Sequence, residues 1–331
     1  MVLKLDFSGM NTANMESLQK DFHYRVRASI KEVFSTYISL LGKESYKTFL
    51  EKSENMLISQ MINELKSAAM ESGQKIYTFI DEYDHFANKL ASEGRETFVK
   101  DLVSRTGFVR EFYEQMKIAS GEGALERFYI TGVSPIMLDE LSSGFNIMSD
   151  MTTHLNFNEM LGFTEGEVKD VLDKVSDSCY TDKNKEEVFQ DLVNYYNGYK
   201  FNSKATKTIF NSDMVLYFFQ YFDDVGKYPD EILDLNVKTD YSKLRGLIVG
   251  SSGKEQLKEI IQELNIKNEL TFRLVHRFTF ENRLGPDELR SLLYFFGLLT
   301  MGNFPGQYVA PNYVIRVLHW EYLQKFLEES G

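Results

Sequence analysis

Lys75-Ile76-Tyr77-Thr78-Phe79-Ile80-Asp81-Glu82-Tyr83-Asp84 is the stretch on which the fold depends. Ile76 to Ile80 is a short apolar run, β-branched and aromatic, with the length and content of a buried strand. Asp81 and Glu82 follow where that strand should end. Parallel sheets bind their ligands at the carboxyl ends of the strands. A carboxylate pair at that place suits nucleotide hydrolysis. Asp81 would hold Mg²⁺ through its water shell, and Glu82 would orient or deprotonate an attacking water. A strand followed by a charged turn is the plainer reading of the same residues.

A nucleotide site also needs a phosphate cradle, and Gly-x-x-x-x-Gly-Lys-[Ser/Thr] opening a helix ahead of the acidic strand would supply it. Met1-Val2-Leu3-Lys4-Leu5-Asp6-Phe7-Ser8-Gly9 already reads as a strand entering a turn, so the sequence leaves no room before it for that unit. Gly250-Ser251-Ser252-Gly253-Lys254 imitates the motif, but its glycines are too close together and Glu255 stands where Ser or Thr should bind the metal. It reads as a turn.

The 331 residues suffice for two or three domains with cores of their own. A formal charge of −12 opposes general nucleic-acid affinity, because phosphate backbones require concentrated Lys and Arg; a local basic patch stays open. Cys179 is the sole cysteine, which excludes an internal disulfide and a cysteine-rich zinc site. His23, His85, His154, His276 and His319 lack metal-ligand spacing, and His85, three residues after Glu82, reads as a surface or turn residue. Neither an N-terminal apolar signal core nor a run of 18 apolar residues occurs, so a soluble cytoplasmic protein without membrane contact is expected.

Outward from the acidic strand, residues 2–7 read as a first strand. Leu18, Phe22, Val26, Ile30, Val33, Phe34, Tyr37, Ile38 and Leu41 recur at helical steps from Met15 to Leu41. Shorter helices follow at Ser45 to Glu51 and Asn55 to Glu71. After the acids, Glu96 to Ala119 reads as helix and Arg127 to Val133 as the next strand. That strand ends in Thr131-Gly132-Val133-Ser134-Pro135, where a hydroxyl or amide would reach a terminal phosphate or its water; a hydroxyl-capped strand end is the alternative. Helix–strand alternation predicts crossover units and a parallel sheet, hence an α/β class. Ile136 to Leu141 reads as a short helix, and Gly144 to Met151 as a further strand.

Beyond Asn158 the texture is helical. Thr164-Glu165-Gly166-Glu167 resembles a capping box. Helices are expected at Glu186–Tyr196 and Asn211–Phe222, with an aromatic turn at Tyr195 to Phe201 whose Gly198 suits a helix C′ position. The aromatic stripes read as core rather than a cofactor box. A strand is expected at Phe272–Phe280, a helix at Asp287–Phe296 opened by Pro286, strands near Leu298–Met301 and Tyr308–Ala310, and a last helix at Tyr313–Glu328. Helices with a two-strand wing suggest a winged-helix-like module. Such a module binds DNA or packs beside an ATPase, and the acidity favours packing.

Leu5-Asp6-Phe7-Ser8-Gly9, Phe79-Ile80-Asp81-Glu82-Tyr83-Asp84, Ile130-Thr131-Gly132-Val133-Ser134-Pro135, Ser142-Ser143-Gly144-Phe145-Asn146-Ile147, Leu161-Gly162-Phe163-Thr164-Glu165, Tyr196-Asn197-Gly198-Tyr199-Lys200-Phe201 and Tyr294-Phe295-Phe296-Gly297-Leu298-Leu299-Thr300 follow in order. Together they resemble the bacterial AAA-ATPase-like family, whose members commonly carry a C-terminal PD-(D/E)XK nuclease-like domain. The resemblance implies an ASCE-type P-loop NTPase core using ATP and Mg²⁺. Asp81 matches its Walker B metal carboxylate and Glu82 its hydrolytic carboxylate. Thr131 to Ser134 falls at its γ-phosphate sensor, which makes Thr131 and Ser134 nucleotide contacts. Arg25 and Arg127 are further candidates for phosphate charge.

The resemblance divides the chain into a partial P-loop core (1–155), a helical lid (156–225) and a winged-helix-like region (226–331). The departures are a missing Walker A strand, loop and helix, and a missing nuclease: Pro229-Asp230 and Pro286-Asp287 have no Glu-x-Lys at useful spacing. A gap beside the strand at Arg127–Val133 follows, to be closed by rearrangement, by a partner chain, or not at all. The expectation is the middle of a longer ATPase, a fragment inactive alone, with genuine loss of ATP binding as the other possibility. Its alternatives are a non-catalytic interaction module and a winged-helix DNA-binding regulator, with a nucleotide, a nuclease-like domain or a partner protein as candidate partners.

Overall fold

Three strands alternate in burial and set the first layer. In a computed structural model that describes residues 1–92, 107–135, 145–175, 183–233, 254–277 and 284–328, β1 (Val2–Asp6), β2 (Ile76–Asp81) and β3 (Leu125–Ile130) form a parallel sheet in the order β1-β2-β3. Leu5 pairs with Ile80, and Ile80 with Ile130. Ile76, Thr78 and Ile80 are buried, whereas the intervening Tyr77, Phe79 and Asp81 are exposed, so one face packs and the other meets water.

The packed face is covered by helices: α1 (Met15–Thr36), α2 (Ile38–Leu41), α3 (Lys43–Lys52), α4 (Ile58–Glu71), α5 (His85–Ser92) and α6 (Phe108–Gly121). α1 lies on β1, α6 on β3, and α4 between those helices. α1 starts where Asn14 Oδ1 accepts from the Ser17 amide, and it buries Leu18, Phe22, Val26, Ile30, Val33 and Phe34. Phe22 stacks on Phe7 at 4.8 Å, and Phe112 of α6 meets both rings edge-on. Each such ring contributes about 1.5–3 kcal/mol by leaving water.

The remaining described helices are α7 (Glu165–Val175), α8 (Lys185–Tyr196), α9 (Ser212–Val225), α10 (Lys254–Lys267), α11 (Pro286–Phe295) and α12 (Tyr313–Glu328). Among them β4 (Leu270–Thr271), β5 (Thr300–Met301) and β6 (Gln307–Val309) make an antiparallel sheet in the order β4-β6-β5. Tyr308 stacks on Phe272 at 4.0 Å. The Thr164 amide donates to Glu167 Oε2 at 2.8 Å, and the Glu167 amide to Thr164 Oγ1 at 3.3 Å, so the capping box closes at α7.

The turn after α8 is tied to residues far along the chain. The Lys200 amide donates to Thr300 Oγ1 at 2.7 Å, and Asn312 Nδ2 donates to the Asn197 carbonyl at 3.1 Å. Gly198 has φ +103°, and a Cβ there would lie 2.0 Å from the Pro311 carbonyl oxygen, so glycine is required.

The chain divides into two units, Met1–Met148 with His276–Arg283, and Ser149–Val275 with Leu284–Gly331. The segment expected as a lid (156–225) lies in the second, and so does the segment expected as winged-helix-like (226–331) apart from 276–283.

Several expectations shift. The long first helix breaks at Tyr37, whose backbone (φ −108°, ψ 27°) leaves helical geometry before α2 resumes. The third helix begins at Ile58 rather than Asn55, because Ser53–Asn55 forms a separate 3₁₀ turn. No strand forms at 145–151. Phe145 instead turns inward against Tyr113 and Phe128, and Asp150 Oδ1 accepts from the Thr152 amide in a local turn. Residues 272–277 are irregular; the strand of that region is Leu270–Thr271. The helix expected at Ile136–Leu141, residues 96–106 of the helix expected from Glu96, Cys179 and the loop at 250–253 lie outside the described residues.

Candidate functional site

Asp81 is the last residue of β2, paired in register with Asp6 at the end of β1. Its Oδ1 accepts from the Glu82 amide at 3.0 Å and from the Thr131 hydroxyl. Among the described residues Oδ2 carries no hydrogen bond and is available to a ligand. Thr131 follows β3 directly, and its amide donates to the Ile80 carbonyl at 2.9 Å. The two loops are therefore locked side by side, and Asp81, Glu82 and Thr131 converge at the carboxyl edge of the sheet. Neighbouring Asp6 is held below the usual carboxylate range by hydrogen bonds from Ser8, so it stays ionised beside the pair.

Glu82 has φ +51°, a left-handed backbone that an L-residue adopts at a cost. The turn aims its side chain at His85, whose Nδ1 lies 2.6 Å from Glu82 Oε2. A histidine at that position can fix the orientation of the carboxylate. Spacing gave a weak hint of this, since a residue three further on in a turn into a helix returns to the same side.

Ser134 is turned inward. Its Oγ lies 3.0 Å from Asp84 Oδ2 and 2.7 Å from Asn88 Oδ1, and its amide donates to Asp84 at 2.6 Å. Asp84 is fully buried, 0% exposed, and also accepts from the Val133 amide at 3.1 Å and Asn88 Nδ2 at 2.6 Å. Burial raises the Asp84 carboxyl above its usual range, while these donors favour the anion. Tyr83 Oη donates to the Ser134 carbonyl at 2.6 Å. Gly132 sits where a Cβ would come within 2.3 Å of Asp84 Oδ1 and 2.4 Å of the Tyr83 ring, so only glycine lets the loops approach this closely. Asp84, Asn88 and Gly132 are the supporting residues that the sequence did not single out.

Beside the acids an open trough of about 620 Å³ runs between β1, β2 and α1. Arg25 borders it. Its Nη1 donates to the Asp6 carbonyl at 3.0 Å and its Nε is 3.5 Å from Asp21, so the guanidinium is anchored at the edge of the site. Arg127 stands on the exposed face of β3.

Among the described residues no three His, Cys, Asp or Glu side chains cluster to hold a metal by themselves. Asp81, with Oδ2 uncommitted, is an oxygen donor of the kind Mg²⁺ takes through water.

Residues 1–142 match the family model described as "Predicted AAA-ATPase". The matched segment contains all three parallel strands together with Asp81, Glu82, Thr131 and Ser134. No curated protein and no solved structure matches the chain. Among the described residues no helix is long and apolar enough to cross a membrane.

Proposed function

We propose that the similarity of residues 1–142 to predicted AAA-ATPases extends to chemistry, and that the β2–β3 edge handles ATP with Mg²⁺. The observation that carries this reading is the convergence of Asp81, Glu82 and Thr131, with Asp81 Oδ2 uncommitted. Asp81 would hold the metal through water. Mg²⁺ supplies charge neutralisation on the triphosphate. Glu82, steadied by His85, would orient the attacking water and take its proton. The Thr131 hydroxyl, already on Asp81, would report the terminal phosphate. Ser134, its hydroxyl turned to Asp84 and Asn88, would keep the loop of Thr131 in place.

The sequence contains no Gly-x-x-x-x-Gly-Lys-[Ser/Thr], so hydrolysis on this reading requires a phosphate cradle from another segment. The test joins the chain behind a strand–phosphate-loop–helix segment of an AAA-ATPase-like relative and measures phosphate release. Activity is expected, with Glu82→Gln lowering it about 10²–10⁴-fold, the span of general-base catalysis. A fusion that binds no nucleotide, or whose hydrolysis is indifferent to Glu82→Gln, overturns the reading.

A second reading is a non-catalytic interaction module on the same scaffold, which predicts no nucleotide binding even when a phosphate cradle is supplied. In the second unit, α10, β4, α11 and the β5–β6 hairpin support a winged-helix-like module. With the net charge of −12, we assign it to packing rather than DNA binding. Salt-sensitive retention of duplex DNA on a filter would reverse that assignment.

A further inference from the structure

Asp84 turns its carboxyl group away from the helix it opens. Its carbonyl accepts from the Asn88 amide at 2.9 Å, which places it at the N-cap of α5. A carboxylate there ordinarily accepts from amides of its own helix. Here Oδ1 takes the Val133 amide at 3.1 Å and Oδ2 the Ser134 amide at 2.6 Å, both from the loop that follows β3. Asn88, one turn into α5, donates from Nδ2 to the same Oδ2 at 2.6 Å and receives the Ser134 hydroxyl on Oδ1 at 2.7 Å. Asp84 is 0% exposed, so whatever it does to a ligand it does through its neighbours.

The neighbour it reaches is Glu82. The Tyr83 amide donates to the Thr131 carbonyl at 3.1 Å, and the Tyr83 hydroxyl to the Ser134 carbonyl at 2.6 Å. On the other side, the Glu82 amide donates to Asp81 Oδ1 at 3.0 Å. Glu82 is therefore pinned before and after, and the later pin is the loop that Asp84 holds. Its φ of +51° is a conformation that persists only where the surroundings over-determine it. Released from the loop of Thr131, Glu82 would relax to ordinary backbone angles and carry its carboxylate off the site. Gly132 leaves the joint no slack, since a Cβ there would lie 2.3 Å from Asp84 Oδ1.

We propose that Asp84 is a positioning residue of the acidic edge: it clamps the Thr131 loop to the start of α5, holds Glu82 in its left-handed backbone, and makes Thr131 and Glu82 act as one unit. The consequence for catalysis rests on reading this edge as a nucleotide site; the clamp itself is a property of the chain alone.

The first arm of the test follows backbone amide exchange by NMR in the full chain without nucleotide. Asp84→Asn is expected to speed exchange at the Tyr83 and Thr131 amides about tenfold or more, with the β1–β2 ladder unchanged, as opening confined to the two loops requires. Tyr83→Phe removes the hydroxyl bonded to the Ser134 carbonyl; it should speed the same amides by a smaller factor, and it decides the matter where Asp84→Asn does not fold. Exchange that rises equally along the sheet, or parental rates at both amides, overturns the clamp. The second arm uses the phosphate-loop fusion. Asp84→Asn should lower kcat about 10²-fold with nucleotide Kd unchanged, the cost of a misplaced catalytic group. Thr131→Val should lower kcat in the parent fusion and add nothing to Asp84→Asn, because residues acting as one unit are not additive. Additive losses, or nucleotide affinity falling in step with kcat, make Asp84 merely structural and overturn the assignment. A fusion that binds no nucleotide removes the nucleotide reading instead, and the exchange comparison then decides by itself whether Asp84 is the clamp.

Discussion

Glu82 and Asp84 show how two neighbouring acids can be placed for opposite purposes. Glu82 sits with φ +51°, and its carboxylate is presented toward solvent and His85. An L-residue in that backbone region costs about 1 kcal/mol relative to glycine. Glu82→Gly should therefore be more stable than Glu82→Ala by about that amount, the reverse of their order inside a helix. Urea unfolding of the two variants checks this, since both lose the same carboxylate. Asp84 is fully buried, and two effects compete there. Desolvation of the anion raises its affinity for a proton, while four hydrogen bonds from Val133, Ser134 and Asn88 hold the charge. Hydrogen bonds to a charged acceptor contribute about 1.5–3 kcal/mol each, yet burial is the larger effect on the proton and the carboxyl stays above its usual range. Asp84→Asn, which turns an NH₂ group toward donors, should cost about 2–3 kcal/mol, measured as a shift of the urea midpoint. A variant as stable as the parent chain would mean that the loops hold each other by backbone pairing alone.

The elements differ in how openly the sequence declared them. Helices were legible because burial repeats every three to four residues; Leu18, Phe22, Val26, Ile30, Val33 and Phe34 are both the periodic positions and the buried ones. Their ends were legible where a side chain caps them, as with Thr164 and Glu167, Pro286 at the first turn of α11, and Asn211, whose Oδ1 accepts from the Met214 amide at 3.1 Å. Asn211→Ala should cost about 1 kcal/mol, visible as a lowered melting temperature. β2 was legible from its composition. The short strands were not, because the two residues of β4 are too few to show a period of two, and their partner β6 lies some way along the chain. The irregular path at 145–151 was missed for the opposite reason. Its Phe145, Ile147 and Met151 spacing looks strand-like, but it has no ladder to join. In the candidate site, Asp81, Glu82 and Thr131 could be picked out because strand-end acids and hydroxyls have a local pattern. Asp84, Asn88 and Gly132 could not, because their roles arise only when two loops about fifty residues apart are brought together.

At the scale of the whole molecule, acid should weaken the fold through one buried ring. His319 on α12 is 1% exposed, its Nε2 has no partner among the described residues, and burial lowers its pKa from 6.5 to about 4. The folded state therefore holds the ring neutral while the unfolded chain protonates it. The contribution is fully present above pH 6.5 and is lost as pH falls from 6.5 through 4, by at most about 3 kcal/mol. Melting temperatures of the parent chain and His319→Leu across that interval test this; the variant should show a shallower decline. The ties of Asn197 and Lys200 to Asn312 and Thr300 act on a different quantity, the order of events. The turn after α8 closes only against residues a hundred or more positions later, so during synthesis the helices before it wait, unsealed, for the C-terminal strands to leave the ribosome. A nascent chain stalled before Thr300 would hold the turn at Asn197 to Lys200 without either tie.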